Sequence, residues 1–288
     1  MCMKSILAPI DGAKSSHAVL NAAFLIAQEF SSHINVLNVK PDPRSAIPLL
    51  GEGMSGAMIE DMINMVEVEG TEQRAKAHSF YKSALEKYAA IEASQPVGDD
   101  KVTVQWLEDQ GRDDEIIARY GRLADIILVP KPVEENEVYS TLALNAALFE
   151  TGRPMMLLPE MPLEHFPKTV SICWNGSMEG ARAVSAAKPF LKHADAVHII
   201  TADTSATDKP VGGELLDYLQ WYDIKAEAIF FTPAGKSVGQ ALLSESQKLG
   251  AELMVMGGYT HSRMRELILG GATRDVIENA QIPVIMGH

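Results

Sequence analysis

The feature that most constrains this chain is that it repeats itself. The stretch KSILAPIDGAKSSHAVLNAAFLIA from Lys4 matches KTVSICWNGSMEGARAVSAAKPFL from Lys168. Each reads as a short apolar strand, a turn at Asp11-Gly12 or Asn175-Gly176, and an alanine-rich amphipathic helix. HINVLNVK and AVHIITAD follow with strand alternation. Further on, LEDQGRDDEIIARYGRLADIILVP aligns with FTPAGKSVGQALLSESQKLGAELMVMG, where Gly111 and Gly235 each precede a helix that runs into the next strand. Each repeat closes on a proline and a short apolar strand, at Pro154 and Pro283.

Five strands alternating with helices, twice over, imply an α/β fold: two repeated open parallel five-stranded sheets with flanking helices. Ligand crevices are expected at the carboxyl ends of the strands. The proline-rich stretch LPEMPLEHFPK reads as a linker, which sets the repeats at 1–160 and 166–288. Both terminal strands, RPMMLLPE and IPVIMGH, are apolar at successive positions. Left as open edges they would invite aggregation, so the repeats are expected to join as an internal pseudo-dimer through those strands.

Composition excludes several classes. A net charge of −13 is wrong for a nucleic-acid surface, which needs clustered Lys and Arg. No apolar run approaches the roughly 20 residues of a membrane span, and the N-terminus enters a strand with no room for a signal peptide. The two cysteines, Cys2 and Cys173, lie far apart and in no metal-ligand spacing, which fits a reducing cytoplasm. None of the eight histidines sits in a two-ligand spacing, so no metal site is expected.

One segment breaks the repeat. The first half carries an insertion at about 50–95, helical in composition from about Ser55, with Met54, Met58, Met62 and Met65 spaced near one turn apart. Such a stripe reads as core packing; the alternative is an adaptable surface for a partner helix.

The second half holds the chemically suggestive stretch, LMVMGGYTHSRMRELILGGATRDVI. An apolar strand ends at Gly257-Gly258, a polar loop follows, and a second pair, Gly270-Gly271, precedes Thr273 at the head of a helix. Strand, glycine, loop, glycine and helix can present backbone N–H groups and a positive helix terminus to phosphate. The same glycines could serve only as turns and caps. AGKSVG at Ala234–Gly239 lacks the glycine a P-loop needs five residues earlier, where Phe230 stands, so it reads as a turn opening a helix. Lys236 would then lie near the crevice mouth.

These motifs together resemble the universal stress protein family over nearly the whole chain. The second-half loop is similar to that family's nucleotide motif G-x2-G-x9-G-(S/T), and the neighbourhood often read GHSR appears here as THSR. The resemblance implies a tandem protein with the layout of adenine-nucleotide α hydrolases. It also implies an adenine contact from the residue closing the first strand, Asp11 in one half and Asn175, beside Gly176, in the other. The match is imperfect: Thr260 replaces the second glycine, and Gly271 stands where Ser or Thr is expected, with Thr273 two residues on. In the first half Pro130 and Pro132 replace glycines, and Glu134, Glu135 and Glu137 would repel phosphate.

The expectation is therefore a cytoplasmic stress-response protein binding ATP or AMP in its second half, as a sensor or regulator without dedicated catalysis. Asn175 and Gly176 would meet the base, and Gly257 and Gly258 the ribose and α-phosphate. Gly270, Gly271 and Thr273 would cradle the outer phosphates. Thr260 and His261 lie in the loop between, where an imidazole could touch ribose or phosphate. The rival reading is a scaffold that binds no nucleotide and works through a protein partner. A slow ATPase is the third reading, and no general base is evident near the phosphates. A further homodimer is compatible with each.

Overall fold

The computed structural model describes residues 3–43, 55–95, 97–98, 100–134, 136–203, 212–258 and 271–288. Among them are eleven mostly parallel strands and eight helices, an α/β architecture. The chain divides into two compact units. The first is Met3–Thr151 with Glu160–Leu163; the second is Gly152–Pro159 with Glu164–His288.

In the first unit β1 (Ser5–Pro9) pairs in parallel with β2 (His33–Pro41) on one side and β5 (Ile126–Pro130) on the other. β4 (Thr103–Gly111) pairs with β2 along its whole length. Apart from Ser5 at its start, β1 is apolar and buried, as is all of β5, as parallel strands covered on both faces must be. The helices are α1 (Ser15–Phe30), α2 (Gly56–Tyr88), α3 (Asp113–Gly121) and α4 (Glu137–Phe149). A two-residue strand, β3 (Ile91–Glu92), lies beyond β4 and goes past the five-strand pattern. The chain returning from α2 runs along the edge of β4, and Ala93 N–H reaches Val104 O at 3.0 Å.

The second unit follows the same plan. β7 (Thr169–Cys173) pairs in parallel with β8 (Ala196–Ala202) and β10 (Leu253–Gly257). β9 (Glu227–Phe231) pairs with β8, and β11 (Val284–Gly287) with β10. Its helices are α5 (Met178–His193), α6 (Gly212–Gln220), α7 (Val238–Lys248) and α8 (Gly271–Asn279). The closing strand of the first repeat, β6 (Met155–Leu158), belongs to this unit. It pairs antiparallel with β11, setting Leu157, Met156 and Met155 opposite Val284, Ile285 and Met286. The two apolar terminal strands do meet, and all six of these residues are buried.

The start of each repeat is clamped in the same way. Asp125, just before β5, accepts from Lys4 N–H at 2.7 Å and Ser5 N–H at 3.0 Å. Glu252, just before β10, accepts from Lys168 N–H at 2.6 Å and Thr169 N–H at 3.2 Å. A carboxylate satisfies the N–H groups at the mouth of the first strand, a charge-assisted arrangement used twice.

The insertion is helical as expected, and Ser55 caps α2 by accepting from Met58 N–H at 3.4 Å. Its methionine stripe is not core packing. Met58 is 52% and Met65 68% exposed, and only Gly70, Ala77 and Tyr81 of α2 are buried. Met54 lies outside the described residues. The helix docks through its later turns: Gly12 packs against the backbone of Gln73 and Ala77, and Tyr81 donates to Glu92 at 2.8 Å.

Candidate functional site

Within each unit, the first strand and the fourth of the five-strand plan lie side by side, and the chain leaves them in opposite directions. That is the topological switch point where open α/β sheets form their crevice. In the second unit the switch lies between β7 and β10, and in the first between β1 and β5.

At the second-unit switch, β7 runs into Trp174, whose N–H bonds Ile200 O at 3.0 Å, and then into the Asn175-Gly176 turn. Gly176 has φ +74, which a glycine adopts without strain. The Asn175 side-chain oxygen accepts from Ser177 N–H at 3.1 Å, and the Ser177 hydroxyl accepts from Gly180 N–H at 3.1 Å to cap α5. Beside it, Gly257 packs under that same first turn; a Cβ there would lie 2.6 Å from Gly180 N. Gly258 donates its N–H to Gly287 O at 2.8 Å, and its carbonyl accepts from His288 Nδ1 at 3.2 Å. The structure thus brings Asn175, Gly176, Gly257 and Gly258 together at the ends of adjacent strands. It also gives Gly257 and Gly258 structural work of their own.

Gly271 begins α8 with no atom of the described residues within 4 Å of where its Cβ would be, whereas Thr273 is buried. The first turn of α8 is positioned by α7: at Gly239 a Cβ would lie 2.6 Å from Ala272 O, and the Ser237 hydroxyl donates to Asp275. The Lys236 ammonium, expected near the crevice mouth, bonds Ser244 on α7 at 3.0 Å. Gly239, which lets the two helices close on each other, matters more here. Thr260, His261 and Gly270 lie outside the described residues. Cys173 is buried, which pushes its thiol up to about 12 and suits a core residue.

The first-unit switch is built differently. Asp11 accepts from Ala13 N–H at 2.9 Å and from the Ser16 hydroxyl at 3.2 Å, around Gly12 at φ +89. β5 ends at Pro130, and the residues after it are tied back to α1. Asn136 Nδ2 donates to the Ser15 hydroxyl at 2.6 Å, and the Ser140 hydroxyl donates to Asn136 O at 2.7 Å, all three residues being buried. Sequence reading missed Asn136 and Ser140; their only signal is that both flank the start of an apolar helix. The crevice is also acidic. Burial pushes the Asp113 carboxyl up to about 6, with the charges of Asp11 and Asp114 adding to it. The Tyr139 phenol is held well above its usual range by burial and by the same Asp11 and Asp113.

Among the described residues no group of three or more His, Cys, Asp or Glu could hold a metal ion, and no helix is long and apolar enough to cross a membrane.

No protein-family model matches the sequence, and no curated protein matches it. Solved structures do resemble it over nearly its full length. A universal stress protein from Archaeoglobus fulgidus DSM 4304 superposes with a TM-score of 0.67 at 15% identity, covering 98% of this chain and 97% of that one. A functionally unknown protein from Pseudomonas aeruginosa PAO1 gives 0.51 at 15% identity, with 98% and 92% covered. A candidate universal stress protein from Pseudomonas aeruginosa UCBPP-PA14 gives 0.51 at 16%, again with 98% and 92% covered. At such identities the likeness speaks for architecture alone. The chain has the universal stress protein fold, laid out as two repeats of one α/β pattern.

Proposed function

We propose that this protein is a cytoplasmic stress-response regulator that holds an adenine nucleotide, ATP or AMP, in the crevice of its second repeat and has no dedicated catalysis. The repeats 1–160 and 166–288 are then a silent half and a binding half. The observation that carries the reading is the difference between the two switch points. At one, Asn175 and Gly176 stand beside Gly257-Gly258, and the chain re-enters the described fold at Gly271, the first residue of α8. A helix N-terminus favours an anion through its partial positive charge. At the other, Asn136 and Ser140 occupy the region through hydrogen bonds of their own, and Asp11 and Asp113 make it acidic.

Asn175 retains an acceptor lone pair and an amide donor with which to meet an adenine edge. Gly258 contributes shape, since its N–H is already donated within the sheet. The phosphate donors would then come from Gly270, Gly271 and the loop holding Thr260 and His261. The direct experiment is to denature freshly purified protein and chromatograph the supernatant for ATP and AMP. A calorimetric titration of nucleotide-free protein with each should accompany it. Bound adenine nucleotide, or saturable heat with either, is the expected result; neither one would overturn the reading. A protein-contact scaffold is favoured by a separate observation, the exposed first half of α2.

A further inference from the structure

Helix α2 has 33 residues, so it is roughly 50 Å long at 1.5 Å per residue. Only its later part is built into the first unit. From Gly56 to Glu69 no residue is buried, although this stretch contains Met58, Ile59, Met62, Ile63, Met65, Val66 and Val68. A polar helix can stand in water; one this apolar has a face that is better covered.

Successive residues turn by about 100°, which sorts the helix into faces. Gly70, Ala77 and Tyr81 fall on the docked face. Met58, Met62 and Met65 share a different face with Glu69, Glu72, Lys76, Phe80, Ser83 and Lys87. Along this face Met58, Met65, Glu69, Glu72, Lys76, Ser83 and Lys87 are exposed, while Met62 and Phe80 are half-buried. Phe80 leans on the His17 ring at 4.0 Å.

Charge is segregated along the same helix. Its first half, to Gln73, holds Glu60, Asp61, Glu67, Glu69 and Glu72 with no Lys or Arg. Its second half holds Arg74, Lys76, Lys82 and Lys87 against Glu86 alone. An acidic half and a basic half on one rod are complementary to the same rod reversed. Two parallel copies would set acid against acid; two antiparallel copies set acid against base.

We propose that α2 is a homodimerisation element, in which the exposed methionine-bearing face of one copy packs antiparallel against that of a second copy. A two-fold axis passing between Glu72 and Gln73 gives the best register. Glu69 then meets the partner's Lys76, and the pair occurs twice by symmetry. Met65 lies opposite the partner's Phe80, Met62 opposite the partner's Ser83, and Met58 along the aliphatic stem of the partner's Lys87. The inference is independent of the nucleotide reading, because none of these residues belongs to the second unit.

The test uses the full chain and sedimentation equilibrium over a concentration series. Wild type should reach a dimer. Glu69→Lys and Lys76→Glu each place like charges opposite one another twice and should raise the dimer Kd about tenfold or more. Both residues are exposed, so neither change touches the core, and circular dichroism checks that. The double variant restores both pairs and should return to the wild-type Kd. Mixing the two single variants should give a heterodimer, since each supplies the charge the other needs. A wild type that stays monomeric throughout would overturn the proposal, as would a dimer indifferent to both single changes. So would a double variant that fails to recover.

Discussion

Gly257, the last residue of β10, lies against Gly180 in the first turn of α5 so closely that a Cβ would come within 2.6 Å of the Gly180 nitrogen. The opposing atoms are backbone, with the Glu179 carbonyl carbon at 2.9 Å, so neither side can rotate away. Gly257→Ala should therefore destabilise the protein by about 1–3 kcal/mol or more. Urea unfolding reads this, with Gly271→Ala as the control. At position 271 a Cβ meets no atom of the described residues within 4 Å, and the change should cost little.

That contrast makes Gly271 the better probe of ligand binding. Gly271→Val leaves the described packing intact but places a branched side chain at the start of α8. Calorimetric titration with ATP and AMP should show at least a tenfold loss of affinity with the melting temperature nearly unchanged. Unaltered affinity would mean that the nucleotide does not approach α8.

Asp113 predicts a pH dependence with a definite sign. Its carboxyl is raised from an ordinary 3.8 to about 6, so the folded protein holds this proton more tightly than the unfolded chain. Below about pH 3 both states are protonated and nothing is lost. As pH rises from about 4 to 6 the unfolded state ionises first, and stability falls by on the order of 3 kcal/mol in all, levelling off above about 6. Asp113→Asn should be more stable than wild type at pH 7.5 and indistinguishable from it at pH 3. Glu92, Glu108, Asp109 and Asp114 are shifted the other way, so the readout is the difference between variant and wild type.

Met156 and Ile285 face each other across the antiparallel pair, and both are fully buried. Met156→Lys would bury an ammonium opposite Ile285 in this fully buried strand pair, and should cost more than about 3 kcal/mol. Loss of soluble expression, or a large fall in the denaturation midpoint, is the expected result. A variant as stable as wild type would mean that the pairing contributes little.

What could be read from the sequence was whatever follows a period. Apolar runs such as ILAP and IILVP, the alanine-rich helices, and the prolines before β6 and β11 each announce an element, and their recurrence announces the fold. The helix in the insertion was legible by the same rule, down to its start near Ser55. Its exposure was not, because periodicity shows that a face is apolar without showing what covers it. Two further features escaped for a related reason. The clamps by Asp125 and Glu252 pair residues more than eighty positions apart. The Asn136–Ser15 bond that occupies the first crevice spans a similar gulf. Gly257 shows the limit most plainly: a glycine read as room for a ligand is also room for a helix.

The placement of β6 bears on how the protein is made. During synthesis this strand emerges early, while its antiparallel partner β11 emerges only after the whole second repeat. Until then its Met155–Leu158 backbone lacks that partner, and a polypeptide stalled between the repeats would present it to any passing strand. A fragment beginning at residue 166 has the converse defect, a β11 with one side unzipped. Cutting the gene at the repeat boundary would therefore yield two sticky pieces rather than two tidy proteins.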